Sequence, residues 1–94
     1  MSLNFDLSRE QSMIRDLARE FAEGEVAPGA AERDKTGRFP LELVRRMGEL
    51  GLLGIPIPEA YGGTGGDTVA YALAVEEISR ADGSLGLTMA AHCS

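Results

Sequence analysis

The sequence predicts an all-α fold, a small bundle of about four helices with a Gly/Pro-rich loop between the second and third. Three observations carry this prediction. Apolar residues recur at helical spacing in successive segments, and capping or breaking residues flank those segments. The third is that 94 residues, 44% of them hydrophobic and 26% charged, are typical of one small globular domain. We therefore expect residues 1–94 to form a single domain.

The first predicted helix begins at Ser8, because Ser8 and Gln11 have the spacing of a capping box. Its apolar face consists of residues spaced by three and four: Ile14, Leu17, Ala18, Phe21 and Ala22. Gly24 and the Pro28-Gly29 pair should weaken this helix and end or bend it. Residues 29–38 are then expected to be a polar connector with room for one helical turn around residues 30–33.

A second helix is predicted over residues 41–50, after Pro40, whose missing N–H is tolerated in a first turn. Leu43, Met47 and Leu50 lie on one stripe of it, and Gly51 suits the left-handed position after its end. The apolar residues between 52 and 57 are interrupted by glycine and proline. They predict an extended segment that packs on the core.

The stretch "IPIPEAYGGTGGD", residues 55–67, has four glycines between positions 62 and 66. A phosphate-binding loop would need a Gly-Lys-Ser/Thr ending, or a third glycine where Thr68 stands. Both are missing here. We favour a structural turn over a phosphate site.

The third predicted helix covers residues 69–80, is capped by Asp67 or Thr68, and has Tyr71, Val75 and Ile78 on one broad face. Its apolar surface is completed by Leu73 and by the alanines at positions 70, 72 and 74. Asp82-Gly83 should end it. Ser84 can cap a fourth helix that begins at Leu85. This last stretch has no charged residue and no C-cap, so we expect the domain to end inside its fourth helix.

Composition limits the partners that the chain can have. The formal net charge of −6 repels phosphate backbones, which argues against a nucleic-acid partner. No apolar run approaches the roughly 20 residues that span a bilayer, so a membrane partner is not expected either. A single cysteine, Cys93, and the lack of a basic-then-apolar opening segment favour a cytoplasmic location.

Residue chemistry alone predicts no catalytic, cofactor-binding or metal-binding residue. His92 and Cys93 are adjacent, so they point to different faces of a helix, and no second ligand stands at metal-binding spacing. Glu76 and Glu77 also diverge. They predict a solvated face, with Glu76 positioned for an ordinary ion pair to Arg80.

The pattern "FPLELVRRMGELGLLGIPIPEAYGGTGGD", followed by "YALAVEEISRADGS" and "HCS", resembles the N-terminal helical region of the acyl-CoA dehydrogenase family. The similarity runs from Ser8 to the end of the chain. Its most specific part is the order and spacing of "ELGL", "PE", "YGG" and "EEI". One departure is Ala60, where the family often has a second glutamate.

This resemblance implies a parent flavoenzyme that uses FAD to oxidise acyl-CoA to 2,3-enoyl-CoA, with electron-transfer flavoprotein as partner and a homo-oligomeric state. The flavin site and the catalytic carboxylate of the family belong to parts that match nothing here, so we expect this segment alone to be inactive. By motif position, the fourth helix would face the acyl tail through Leu87, Thr88, Ala91 and His92. The same composition also suits plain helix packing.

Two other functions remain open at this stage. The chain could be a stand-alone helical interaction module that lacks the chemistry. It could also belong to a family relative that oxidises a different substrate with flavin.

Overall fold

The computed structural model describes residues 7–54 and 68–93, and within these ranges every regular element is helical. The α-helices are α1 (Arg9–Phe21), α2 (Ala27–Thr36), α3 (Leu41–Glu49), α4 (Thr68–Ala81) and α5 (Gly83–Cys93). A π-helical turn, Ala22–Val26, joins α1 to α2, and a 3₁₀ turn, Leu52–Gly54, follows α3. The all-α prediction is confirmed. The glycine loop of residues 55–67 lies outside the described residues, so its role stays a prediction.

One uninterrupted helical run extends from α1 through the π turn into α2, so the described residues contain four helical rods. Its start is the predicted capping box: the Gln11 amide N–H donates to Ser8 Oγ at 3.0 Å, and the Ser8 N–H donates to Gln11 Oε1 at 2.9 Å. The prediction that Gly24 and Pro28-Gly29 end or bend the helix was wrong in the first alternative, because helical residues continue to Thr36, but the regular α-helix does give way to the π turn around Gly24. Pro28 directly follows the wider π turn, so its missing N–H falls where π-helical hydrogen bonding changes to α-helical hydrogen bonding.

Residues 29–38 were predicted as a polar connector, and this too was wrong over most of their length, because α2 continues to Thr36. The helix ends at Gly37, whose φ of 70° is the left-handed conformation that glycine adopts without strain. Apolar periodicity did not predict α2 because its buried residue is an arginine, Arg33.

Helix α4 packs against both α1 and α5, and the 3₁₀ turn links α3 to α5. The core cluster of buried residues comprises Ala18, Phe21, Val26, Leu43, Met47, Leu52, Ala74, Ile78, Leu85 and Met89. The predicted faces of the first and second helices contribute to this core, and their residues Ile14, Leu17 and Leu50 are partly buried and pack against it. In α4 the most buried part of the predicted apolar surface is formed by Ala70, Ala74 and Ile78, while Tyr71 and Val75 are half-buried.

Helices α4 and α5 are separated by the single residue Asp82. Asp82 Oδ1 accepts a hydrogen bond from the Leu85 N–H at 3.2 Å, so Asp82 rather than the predicted Ser84 caps α5. The two helices approach closely at Gly86, where an added Cβ would lie 1.9 Å from Ser79 Oγ. Tyr71 Oη also donates to the Ala90 carbonyl at 3.2 Å, which joins the two helices further along.

Candidate functional site

The sequence-predicted site residues lie along one stripe of α5. Leu87 is 71% exposed, Ala91 is exposed and Thr88 is half-buried. We call these three residues the outer face of α5. Residues three and four apart share a helix face, so His92 follows Thr88 by one turn, and its side chain lies outside the described part of the structure.

The outer face of α5 is apolar in character. Leu85 and Met89 are buried on the side of α5 that faces the core. The Thr88 hydroxyl donates to the Ser84 carbonyl at 3.0 Å, which leaves its methyl group as the part free to contact a ligand. α5 contains no aspartate, glutamate, lysine or arginine. Such a surface can bind an aliphatic chain without desolvating a charge.

A cleft of about 660 Å³ adjoins this face. It lies between the end of α2, the segment that follows it and the first turn of α5, and we call it the α2 cleft. Its polar lining consists of Arg33, Asp34, Arg38, Asp82, Ser84 and Thr88. Thr88 therefore belongs to both the cleft and the outer face of α5.

Both arginines of the α2 cleft already bind carboxylates. Arg33 Nη2 lies 3.1 Å from Asp82 Oδ2, and Arg38 Nη2 lies 2.9 Å from Glu42 Oε1. The hydrogen bond from Arg38 lowers the pKa of the Glu42 carboxyl below its usual value. A pyrophosphate needs donors that are not engaged in this way. A pyrophosphate in this cleft would therefore have to displace a carboxylate from Arg33 or Arg38.

A second charged group joins α1 to α4. Arg19 Nε donates to Glu77 Oε1 at 3.2 Å and Arg19 Nη2 donates to Oε2 at 3.0 Å. This bidentate contact with Glu77 raises the pKa of Arg19. The prediction of a solvated Glu76–Glu77 face holds for Glu76, which pairs with Arg80 at 2.6 Å in an exposed position. It was wrong for Glu77, which is 6% exposed.

Sequence reasoning did not find Arg33 and Asp82, the most buried charged contact of the cleft. Arg33 is 7% exposed and the Asp82 side chain 12%. One signal was available in the sequence: Gly29 stands four residues before Arg33, so one turn of helix away on the same face. In the structure a glycine at position 29 makes room for the guanidinium, because a Cβ there would lie 2.7 Å from Arg33 Nη1.

Two kinds of feature are absent from residues 7–54 and 68–93. No group of three or more His, Cys, Asp or Glu residues in these ranges could hold a metal ion. None of the helices described there is long and apolar enough to cross a bilayer.

Comparison with known families gives one clear match. The family model described as "Acyl-CoA dehydrogenase, N-terminal domain" matches residues 8–94. A probable acyl-CoA dehydrogenase of Bacillus subtilis is 55% identical over 92 residues, which cover 98% of this chain and 24% of that protein. The short-chain-specific acyl-CoA dehydrogenase of Clostridium acetobutylicum is 51% identical over the same shares of the two chains. The chain thus spans about a quarter of the length of these relatives.

Solved structures agree with the sequence relatives. A chain in a structure described as the electron transferring flavoprotein of Acidaminococcus fermentans superposes with a TM-score of 0.82 at 46% identity, covering 97% of this chain and 24% of that one. Butyryl-CoA dehydrogenase from Megasphaera elsdenii superposes with a TM-score of 0.79 at 37% identity, covering 95% of this chain and 24% of that one.

Proposed function

Because the chain belongs to the acyl-CoA dehydrogenase family, as its N-terminal domain, we propose that it is the helical wall of an enzyme that oxidises acyl-CoA to 2,3-enoyl-CoA. The proposal concerns the whole protein, of which this chain would be about a quarter by comparison with its relatives. Residues 1–94 are then one domain, continued by further polypeptide after the fourth helical rod.

Within that enzyme, we assign the outer face of α5 to the acyl pocket. The observation that carries this assignment is the exposure of Leu87 on a helix whose other large apolar side chains, Leu85 and Met89, are buried. Thr88, Ala91 and His92 continue the same stripe. Ligand pockets are lined mostly by apolar groups with few polar ones, and this stripe has that character.

The oxidation itself needs groups that we place outside this chain. The family implies FAD, which would accept the hydride, and a carboxylate that would remove the α-proton of the thioester. The α2 cleft has both of its arginines paired, and the Glu77 carboxylate is bound to Arg19. We assign FAD and the base to the remaining polypeptide, and expect the segment alone to be inactive, because the family resemblance places both groups there. The pairings support this assignment.

The partners follow from the same assignment. We propose acyl-CoA as substrate, electron-transfer flavoprotein as electron acceptor, a homo-oligomeric parent and a cytoplasmic location. The choice of acceptor is supported by the similarity to a chain in the Acidaminococcus fermentans structure, whose description names an electron transferring flavoprotein. The net charge of −6 supports neither a nucleic-acid nor an anionic membrane partner.

The acyl-wall assignment is tested in the full-length enzyme by changing side-chain size on the outer face of α5. Ala91→Phe should fill the pocket and lower kcat/KM for long acyl chains about tenfold or more relative to short ones. Leu87→Ala should favour longer chains. Met13→Ala is the control, because Met13 is also an exposed apolar side chain but lies on α1.

The result that contradicts the assignment is equally defined. If Ala91→Phe and Leu87→Ala both leave the chain-length profile of the folded enzyme unchanged, as Met13→Ala should, the outer face of α5 does not contact the acyl tail.

A further inference from the structure

One largely buried ion pair lies where three helices meet. Arg33 of α2 donates from both Nε and Nη2 to Asp82 Oδ2, each at 3.1 Å, and Nη2 also donates to the Val26 carbonyl at 2.6 Å. We call the Arg33–Asp82 contact the junction ion pair. The guanidinium thus connects three points: the end of the π turn, α2, and the residue between α4 and α5.

Asp82 is the residue at which α4 ends and α5 begins. Its N–H donates to the Ile78 carbonyl at 2.9 Å, and its own carbonyl accepts from the Gly86 N–H at 3.1 Å. Its two carboxylate oxygens have separate partners: Oδ2 accepts from Arg33, and Oδ1 accepts from the Leu85 N–H. A displacement of the carboxylate at one oxygen must therefore move the first turn of α5 at the other.

The site is shaped around the arginine. Gly29 has no side chain, which leaves room for the guanidinium of Arg33. A Cβ at position 29 would lie 2.7 Å from Arg33 Nη1. Removing one member of a buried ion pair leaves the other charge without compensation, and this is more costly than replacing both. The geometry is therefore sensitive to either residue alone.

The first turn of α5 leads directly to the proposed acyl wall. Arg33, Asp82, Ser84 and Thr88 line the same cleft, and Thr88 lies one turn after Ser84, to whose carbonyl it donates. Leu87 immediately precedes Thr88 and belongs to the same outer face of α5. The direction in which α5 leaves Asp82 thus decides where these side chains stand.

We propose that Arg33 is a positioning residue for substrate selection: through Asp82 it sets the start of α5, and thereby the shape of the acyl wall. This inference rests on the proposed function. The inference goes beyond the proposed function because it assigns a role to Arg33, which acts through Asp82 and not by contact with the substrate.

The test uses the full-length enzyme with Arg33→Met and Asp82→Asn. Asparagine is also a good N-cap, so its side-chain oxygen can still accept from the Leu85 N–H, but it presents no carboxylate to Arg33. Asp82→Asn therefore keeps the cap of α5 and removes the junction ion pair. Arg33→Lys is the conservative variant and should retain part of the wild-type behaviour. The matched control is Arg80→Met, which removes an exposed arginine two residues before Asp82.

Two measurements are made on each variant. Hydrogen exchange of the Leu85 and Gly86 amides should become at least about tenfold faster in Arg33→Met and Asp82→Asn, because local opening tracks the lost contact. Amides in α1 should change much less. The preference between short and long acyl-CoA should become weaker, because KM for the preferred chain length rises while kcat changes less. Arg80→Met should match wild type in both measurements.

The outcomes separate this inference from the one it rests on. If Leu87→Ala and Ala91→Phe shift the chain-length profile but Arg33→Met and Asp82→Asn do not, the positioning role is wrong and the acyl wall stands. Exchange that accelerates equally in α1, α4 and α5 also overturns the positioning role, because Arg33 would then only stabilise the fold. If the Leu87 and Ala91 variants have no effect, the proposed function fails first, and the inference fails with it.

Discussion

The two ends of the long N-terminal helical run bury different kinds of group against the rest of the molecule. α1 packs on α4 and contributes Ala18 and Phe21 to the apolar core. α2 buries Arg33 instead and reaches the α4–α5 junction through the Asp82 carboxylate. Apolar packing tolerates small shifts because it is not directional, whereas a guanidinium–carboxylate contact fixes an orientation. The first contact should therefore carry most of the stability, and the second should set the placement of α5.

The largest expected effect comes from breaking the apolar contact. Phe21→Ala should lower the free energy of unfolding by about 3–5 kcal/mol, because it removes a buried aromatic ring and leaves a cavity. Denaturant unfolding followed by circular dichroism measures it. Met13→Ala on the same helix is the control and should change stability by less than about 0.5 kcal/mol, since Met13 is exposed. Equal effects of the two substitutions would contradict the assigned core.

The next effect concerns the contact between α4 and α5. α1 packs on α4, and Arg33 of α2 binds Asp82 between α4 and α5. Gly86→Ala should destabilise the chain by about 1–3 kcal/mol, because the new methyl group overlaps Ser79 Oγ and lies 3.0 Å from its Cα. Gly83→Ala is the matched control. A Cβ there meets nothing within 4 Å, so this helical glycine should gain about 0.5–1 kcal/mol on replacement. Thermal unfolding of the two variants should shift in opposite directions, and a shift in the same direction would count against the close approach.

The two ends of the N-terminal helical run, α1 and α2, also differ in how well the sequence predicts them. The apolar stripe of α1, the Leu43–Met47 stripe of α3 and the Ser8 capping box follow local rules that periodicity and capping chemistry express directly. α2 does not follow those rules, since Pro28 and Gly29 are common helix breakers and the buried group is charged. A pattern of polar residues contains no information about which distant carboxylate an arginine meets. The partner of Arg33 is 49 residues away along the chain.

The candidate site divides in the same way. Motif position alone placed Leu87, Thr88 and Ala91 on one stretch, and helical spacing then puts them on one face. The role of Asp82 as cap, and its link to Arg33, depend on how α4 turns into α5. That turn is a single residue, so α5 already begins at Gly83, and Asp82 rather than the predicted Ser84 stands in position to cap it.

A smaller effect tests the space around Arg33. Gly29→Ala should be less favourable than Gly24→Ala by about 1 kcal/mol, because only at Gly29 would a Cβ displace the guanidinium. Repeating both substitutions in an Arg33→Met background forms a double-mutant cycle. The difference between the two glycines should disappear there. If it persists without the guanidinium, Gly29 is required for a reason other than Arg33.

The smallest effect lies at the exposed edge of the α2 cleft. Arg38→Gln should raise the pKa of the Glu42 carboxyl toward its usual value, since the Arg38 hydrogen bond is the main cause that lowers it. A lowered pKa contributes stability above the unfolded-state value, and that contribution is lost as the pH falls through the folded-state value. The difference between wild type and Arg38→Gln should therefore be present at neutral pH and vanish in acid. An NMR titration of the Glu42 side chain measures the change directly, and an unchanged Glu42 pKa would mean that the ion pair does not persist in solution.

The proposal that α5 forms an acyl wall is tested most directly by a crystal structure of the full-length enzyme with a non-reactive acyl-CoA bound. We predict that Leu87, Thr88, Ala91 and His92 lie within about 4 Å of the acyl tail, the distance of apolar contact. An acyl tail that lies elsewhere, with the outer face of α5 covered only by protein, would contradict the proposal.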